Sequence, residues 1–333
     1  MRMNQLIPLC LALLMGCDQA PAPDTKPRVA VPLQKIAVAY TNQPQSTLIQ
    51  VAVAKNYFAE EGLEIESILH TFGKASLQSL LDHKAVFATV AETPFMFNVL
   101  KGEKIFIIAN IEASGLNNAI VARRDADIAQ PSDLKGKRIG FTPGTTSDFF
   151  LDSLLTANEL RREDIQTVPL KPEEMQEAVM DRKVDAVSTW NYPLTQINKQ
   201  LGKNGILFAD PTIYTETYNV AAHQDYVHKN PETVKRFLRA IIKAEDFSRL
   251  NPAEAQAIMS TATKTDLDLV REVWSIFNYQ LVLDKRLVIT LEDESRWAMK
   301  HRLTEQTEMP DFRQFIHSDS LMAVKPQAFS GNR

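Results

Sequence analysis

The chain predicts an α/β fold with mostly parallel sheets and a helical C-terminal portion. Three observations carry this. From Gln34 onward, short apolar β-rich runs alternate repeatedly with helix-period patterns, the arrangement of βαβ units. Several helical patterns open on proline, at Pro94, Pro172, Pro193, Pro231 and Pro252, where the missing N–H has no intrahelical partner to lose. From Pro231 to about residue 316 the pattern is almost wholly helical.

Residues 1–16 come first in order. One positive charge at Arg2 precedes an apolar stretch containing Leu6, Ile7, Leu9 and Leu11, which fits a secretory signal and is too short to cross a bilayer. It ends Leu14-Met15-Gly16-Cys17, a match to the bacterial lipobox, so cleavage before Cys17 and lipidation of its thiol are expected. A plain secretory signal with an incidental cysteine is the competing reading. Asp18 resembles the retention signal of Gram-negative lipoproteins, which would leave the mature protein lipid-anchored on the periplasmic face of the plasma membrane. Residues 17–33 then form the lipidated cysteine and a tether, in which Pro21, Pro23, Pro27 and Pro32 favour an extended chain of about 3 Å per residue.

Removing 16 residues from 333 leaves 317, enough at ~150 residues per domain for two lobes. A formal net charge of −4, with 23% charged and 44% hydrophobic residues, is an ordinary globular balance and offers no basic patch for nucleic acid. The two cysteines are Cys10, lost with the signal, and Cys17, so the mature body is expected to hold together without disulfides.

The strand candidates are 35–40, 64–68, 86–90, 105–111, 118–123, 138–141, 166–169, 186–189, 206–209 and 218–223. After the first comes Thr41-Asn42-Gln43-Pro44-Gln45-Ser46-Thr47, then an amphipathic run with Leu48, Val51, Ala52, Tyr57 and Phe58, closed by Gly62 as a helix C-cap. After the sixth, a turn at 142–144 and the hydroxyls Thr145, Thr146 and Ser147 open a helix through Phe149, Phe150, Leu154 and Leu155. A helix start leaves about four N–H groups unpaired and carries roughly half a positive charge, so each opening is suited to an oxyanion. Plain N-capping is the other use of such hydroxyls. The second turn is no nucleotide loop, because Gly140 is followed by Gly144-Thr145-Thr146 with no lysine to reach a phosphate. Ligands of open sheets collect beyond the carboxyl ends of strands, so two such openings suit a ligand gripped between two lobes.

Enzyme chemistry finds little support. The histidines His70, His83, His223, His228, His301 and His317 lack metal-site spacing, and Gly-x-Ser-x-Gly is absent, so no metal, cofactor or catalytic residue is expected.

Taken in order, the runs VAKNYFAEEGL at 53–63, DLKGKRIG at 133–140, GTTS at 144–147, VDA at 184–186 leading to Trp190 and Pro193, and NPETV at 230–234 resemble the substrate-binding proteins of nitrate, sulfonate and taurine ABC importers. The resemblance runs from about Lys35 to about Leu303. It implies a two-lobed type II periplasmic-binding-protein fold, with 34–114 plus 219–333 as one lobe and 115–218 as the other. Crossings are expected near 113–117, where Gly115 is placed to absorb a dihedral change, and near 215–219. It also implies a small-molecule solute, a permease and its ATPase as partners, and a monomer. Strand ends combined with the family pattern give the solute-binding candidates: Thr41, Asn42, Ser46 and Thr47 on one side, and Thr145, Thr146 and Ser147 across from them. Glu92 and Thr93 after the third strand, and Trp190 and Asn191 after the eighth, complete the set, with Glu216 and Tyr218 beside the second crossing. Trp190 as lobe core, Glu92 as a solvated loop acid, and Trp274 and Trp297 as core residues are the bland readings. With Glu92 and Asp148 nearby a bare inorganic anion fits poorly, so a small organic solute bearing sulfonate or nitrogen is expected. A ligand-sensing subunit of a membrane signalling protein, or an enzyme on the same fold acting on a pyrimidine- or quinone-precursor-like solute, are the alternatives.

Overall fold

The computed structural model describes residues 32–329, and the expected signal, Cys17 and most of the tether lie outside the described residues. Two five-stranded sheets organise it. The strands are β1 (Gln34–Thr41), β2 (Leu63–His70), β3 (Phe87–Ala91), β4 (Ile105–Ser114), β5 (Asn118–Arg123), β6 (Arg138–Phe141), β7 (Gln166–Pro169), β8 (Ala186–Trp190), β9 (Gly205–Phe208) and β10 (Glu216–His223). The first sheet runs β2-β1-β3-β10-β4 and the second β7-β6-β8-β5-β9. Each expected strand has a counterpart, most of them short apolar runs bounded by turn residues and the edge strands β2 and β7 mixing apolar with polar residues. The central strands β3 and β8 are buried along their whole length, as strands covered on both faces must be, whereas the edge strand β2 exposes Glu64, Glu66 and Ser67 to water.

The α/β class holds, but the emphasis on parallel pairing needs correcting. Four strand pairs are parallel, β1–β2, β1–β3, β6–β7 and β6–β8, and four are antiparallel, β10–β3, β10–β4, β5–β8 and β5–β9. The antiparallel pairs all involve β5 or β10, the strands that follow the two passages between sheets. A strand that arrives from the other sheet enters from the opposite end and so runs against its neighbours. The first passage occupies 115–117 and the second 209–215, so the crossing expected at 215–219 falls mainly on the first residues of β10. Gly115 serves close approach: a Cβ there would stand 3.1 Å from Cβ and 3.3 Å from the carbonyl oxygen of Pro211, so the two passages touch at this point.

Helix starts follow the prolines at Pro193, Pro231 and Pro252. Pro94 is different, standing third in the helix Glu92–Leu100. The third N–H of a helix also has no intrahelical acceptor, so proline is tolerated there and the helix begins earlier than its proline suggests. Gly62 ends the first helical run with φ +76, its N–H donating to the Ala59 carbonyl at 2.9 Å, as a left-handed C-cap should. That run is itself split at Asn56, φ 58, into Thr47–Ala54 and Tyr57–Glu60.

The long helix Pro231–Leu250 covers the first sheet. Its Phe237 ring stacks on Phe87 at 4.2 Å and on Phe58 at 5.2 Å, tying three distant segments into one core. A smaller apolar cluster joins Tyr192, which follows β8, to Met259, Leu269, Val270 and Val273 of the C-terminal helices and to Phe277 just beyond them. Among the described residues no helix is long and apolar enough to cross a membrane.

Candidate functional site

Both predicted openings meet at one gap between the two sheets' halves. Gln43 and Gln45 line it from the turn after β1, and Thr145 and Thr146 from the turn after β6. Trp190 closes it from the end of β8 and donates its Nε1–H to Gln43 Oε1 at 3.1 Å, a direct bridge between the halves. Phe72, Gly73 and Lys74 reach the same gap from the turn after β2, where the helix Gly73–Leu81 begins. Lys74 Nζ donates to the Pro143 carbonyl at 3.0 Å, a second bridge. The gap is narrow, about 20 Å³, room for about one water molecule.

Most of the hydroxyls proposed as ligand donors are consumed by the turns that carry them. Ser46 Oγ accepts the Thr41 N–H at 3.3 Å and lies 2.9 Å from Thr41 Oγ1 and 3.0 Å from Thr89 Oγ1. Thr47 Oγ1 donates to the Pro44 carbonyl at 2.6 Å. In the second turn Thr145 Oγ1 donates to the Thr142 carbonyl at 2.7 Å, and Ser147 Oγ accepts the Thr142 N–H at 3.1 Å. Each set folds a strand end tightly onto the following helix, which is a local role of the ST-turn kind. Neither Ser46 nor Thr145 makes a side-chain cap to its helix. Asn42 faces a separate groove formed with Val53, Leu69 and Ile258. Asn191 is buried, its Oδ1 accepting the Tyr192 N–H at 2.7 Å. Of the eleven proposed positions, the gap is lined by Thr145, Thr146 and Trp190; Glu216 and Tyr218, the further candidates beside the second crossing, line it too, and the structure adds Gln43, Gln45 and Lys74.

Glu92 and Thr93 are fully buried in the first turn of their helix, behind the gap rather than on it. One Glu92 oxygen accepts the Tyr214 hydroxyl, and the other accepts Thr217 N–H at 2.8 Å and Thr217 Oγ1 at 3.0 Å. Thr93 Oγ1 donates to Glu294. Glu92 thus ties its helix to the second passage and to β10. Its carboxyl is pushed up to about 8, first by burial and then by the charge of Glu216. Glu112 and Glu294 are buried beside it and raised well above the usual carboxylate range, by burial first, then by Glu216 for the former and Glu92 for the latter. Both Glu112 oxygens lack a hydrogen-bond partner among the described residues. Glu216 is also raised, chiefly by burial, and is held by Asn117 Nδ2 at 2.8 Å and by Asn118 Nδ2.

Asp148, feared as a repulsive charge, is neutralised. Arg162 bridges it at 2.6 Å and Asp152 at 2.7 Å, all three side chains being at most 18% exposed. Asp148 also accepts the Gly144 N–H at 2.8 Å, so part of that helix opening already holds an internal anion. Asp152 in turn accepts the Trp297 Nε1–H at 2.7 Å, a third bridge between the halves, with Phe149 packed edge-on to Trp297. Trp297 is therefore buried as expected, yet it also joins the two parts.

Sequence reasoning overlooked Lys74 although the signal was present: Thr71-Phe72-Gly73-Lys74 is a strand-to-helix turn like the other two. Gln43 and Gln45 lie in the same loop as the hydroxyl candidates, and their longer amides reach the gap that Ser46 and Thr47 do not line. Among the described residues no group of three or more His, Cys, Asp or Glu is placed to hold a metal ion.

The chain resembles known proteins over most of its length. A binding protein of Brucella abortus is 26% identical over 228 residues, which are 66% of this chain and 69% of the relative. The solved periplasmic aliphatic sulphonate binding protein SsuA of Escherichia coli superposes with a TM-score of 0.74 at 18% identity, covering 85% of this chain and 97% of the other. The desulfurization enzyme DSZB shares the fold at a TM-score of 0.62 and 13% identity, covering 88% and 99%. The fold is thus the two-lobed type II periplasmic-binding-protein fold. Residues 43–255 match the NMT1/THI5-like family model, which covers both strand-to-helix turns and β8, and the chain belongs to that family.

Proposed function

We propose that this protein is the solute-capturing component of an ABC importer, holding a small organic solute that bears sulfonate or nitrogen between its two lobes and passing it to a permease without turnover. One observation carries the reading. Turns from two different sheets, Gln43 with Gln45 and Thr145 with Thr146, line a single gap that Trp190 spans. A convergent set of polar groups with one aromatic wall is what a small polar molecule needs. A solute larger than one water cannot enter a gap of about 20 Å³ unless the halves part, and the two short passages at 115–117 and 209–215 are where such a hinge would act. Lipidation at Cys17 would hold the monomer on the periplasmic face of the plasma membrane, beside its permease and ATPase.

The test is a thermal-shift screen of the full chain against sulfonates, amino acids, carboxylates, nitrate and aminopyrimidines, followed by recovery of the bound compound. A true solute at 100 times its Kd raises stability by about 2.7 kcal/mol and comes back chemically unchanged. A compound that is consumed would establish the enzyme reading, and a solute whose affinity is unaltered by Trp190→Ala with Thr146→Ala would remove the gap from consideration.

A further inference from the structure

The class of solute can be read from the acceptors around the gap, on the footing that the gap is the binding site. Gln45 is 2% exposed, lines the gap, and leaves its Oε1 without a hydrogen-bond partner among the described residues. Glu216 is 1% exposed, lines the same gap, and is held by the amides of Asn117 and Asn118 together with the side chains of Thr146 and Gln45, with no lysine, arginine or histidine paired to it among the described residues. Three further buried carboxyls stand behind it: Glu92 from the helix Glu92–Leu100, Glu112 from β4 and Glu294 from the helix Arg286–Lys300. A buried carboxylate without a counter-charge is costly, and like charges nearby make it costlier. The cation in the lining is Lys74, which sits at the start of the helix Gly73–Leu81 and is committed to the Pro143 carbonyl rather than to Glu216.

We infer that the solute is bipolar: a protonated amine or amidine-type nitrogen docks on Glu216 and Gln45 Oε1, while an acidic group lies beside Lys74 and the opening of its helix. The nitrogen supplies the missing positive charge and the hydrogen that the buried Gln45 Oε1 lacks. The acidic group meets a cation and a helix N-terminus, both favourable to negative charge. A bare anion such as nitrate satisfies only one end of this arrangement.

Two probe pairs differing by one amine test it, with calorimetric titration of the full chain: taurine against ethanesulfonate, and β-alanine against propionate. The amine-bearing member should bind roughly 10- to 100-fold tighter in at least one pair, the scale of hydrogen bonds to a charged group. Glu216→Gln should erase the difference within that pair. Binding of the amine should also weaken as pH falls through the raised titration of Glu216, since protonating the carboxyl removes the counter-charge; Glu92, Glu112, Glu294, Tyr214, Tyr218 and Lys74 are the other titratable groups packed around it. Equal affinity within both pairs, or no binding by any of the four, overturns the inference. Another solute that binds through Trp190 and Thr146 but carries no nitrogen would also overturn it, and would leave the gap standing as the site.

Discussion

Glu92 is where pH should act on the stability of this fold. Its carboxyl is pushed up to about 8, burial being the larger cause and the charge of Glu216 the next. In the unfolded chain a glutamate titrates near ~4.3. Between these values the folded protein holds a proton that the unfolded chain has released. Raising the pH therefore draws the equilibrium toward the unfolded chain, by about 1.4 kcal/mol per pH unit for one such group. The contribution of that proton is complete below the unfolded value and is lost as pH rises to about 8. From pH 5 to pH 7.5 the loss is about 3 kcal/mol, or a Tm decrease of roughly 5–10 °C for a chain of this order of size. Glu92→Gln isolates the effect. The amide oxygen still accepts from the Thr217 N–H and hydroxyl, the amide nitrogen can donate to the Tyr214 oxygen, and no ionisation remains. Chemical denaturation of both proteins at pH 5, 6, 7 and 7.5 and constant ionic strength should show the variant losing less stability across the series and ending the more stable. Parallel curves for the two proteins would refute the buried, protonated state of Glu92.

Two further substitutions probe the supports of the site. Arg162→Met should cost about 3–5 kcal/mol in urea denaturation, because Asp148 and Asp152 are left buried without their shared cation; adding Asp148→Asn and Asp152→Asn should recover most of it, and a single-variant cost below about 1 kcal/mol would show the triad to be solvated. Gly73→Ala places a Cβ 2.7 Å from the Tyr218 oxygen and 3.2 Å from Val90 Cα, and should destabilise by about 1–3 kcal/mol. Combining it with Tyr218→Phe should relieve part of the cost, and no relief would assign the clash to the Val90 backbone.

What the sequence disclosed and what it concealed have physical causes. Apolar runs such as Ile105-Phe106-Ile107-Ile108 declare a buried strand wherever it ends up, so the strands were legible. The direction of β5 and β10 was not, because it depends on which sheet the chain has just left rather than on any local residue. The openings after β1 and β6 were legible as strand-to-helix turns, yet Ser46, Thr145 and Ser147 could equally bind a solute or fold their own turn. Only three-dimensional distances show that neighbouring backbone groups and hydroxyls engage them. Glu112 did leave a trace, a lone acid in the run IFIIANIEAS, where an uncompensated carboxyl among apolar neighbours is itself a signal.

The turn after β8 carries one more consequence. Tyr192 holds φ 62 and ψ −62, a conformation costing roughly 1–3 kcal/mol for a residue with a side chain. Its ring is kept in place by Met259, Val270 and Phe277, so the tension is balanced by packing against the other half of the molecule. The path of the chain from β8 into the helix Pro193–Leu201 is thereby fixed by contacts made far along the sequence, so loosening that apolar cluster would free a strained turn at the edge of the gap.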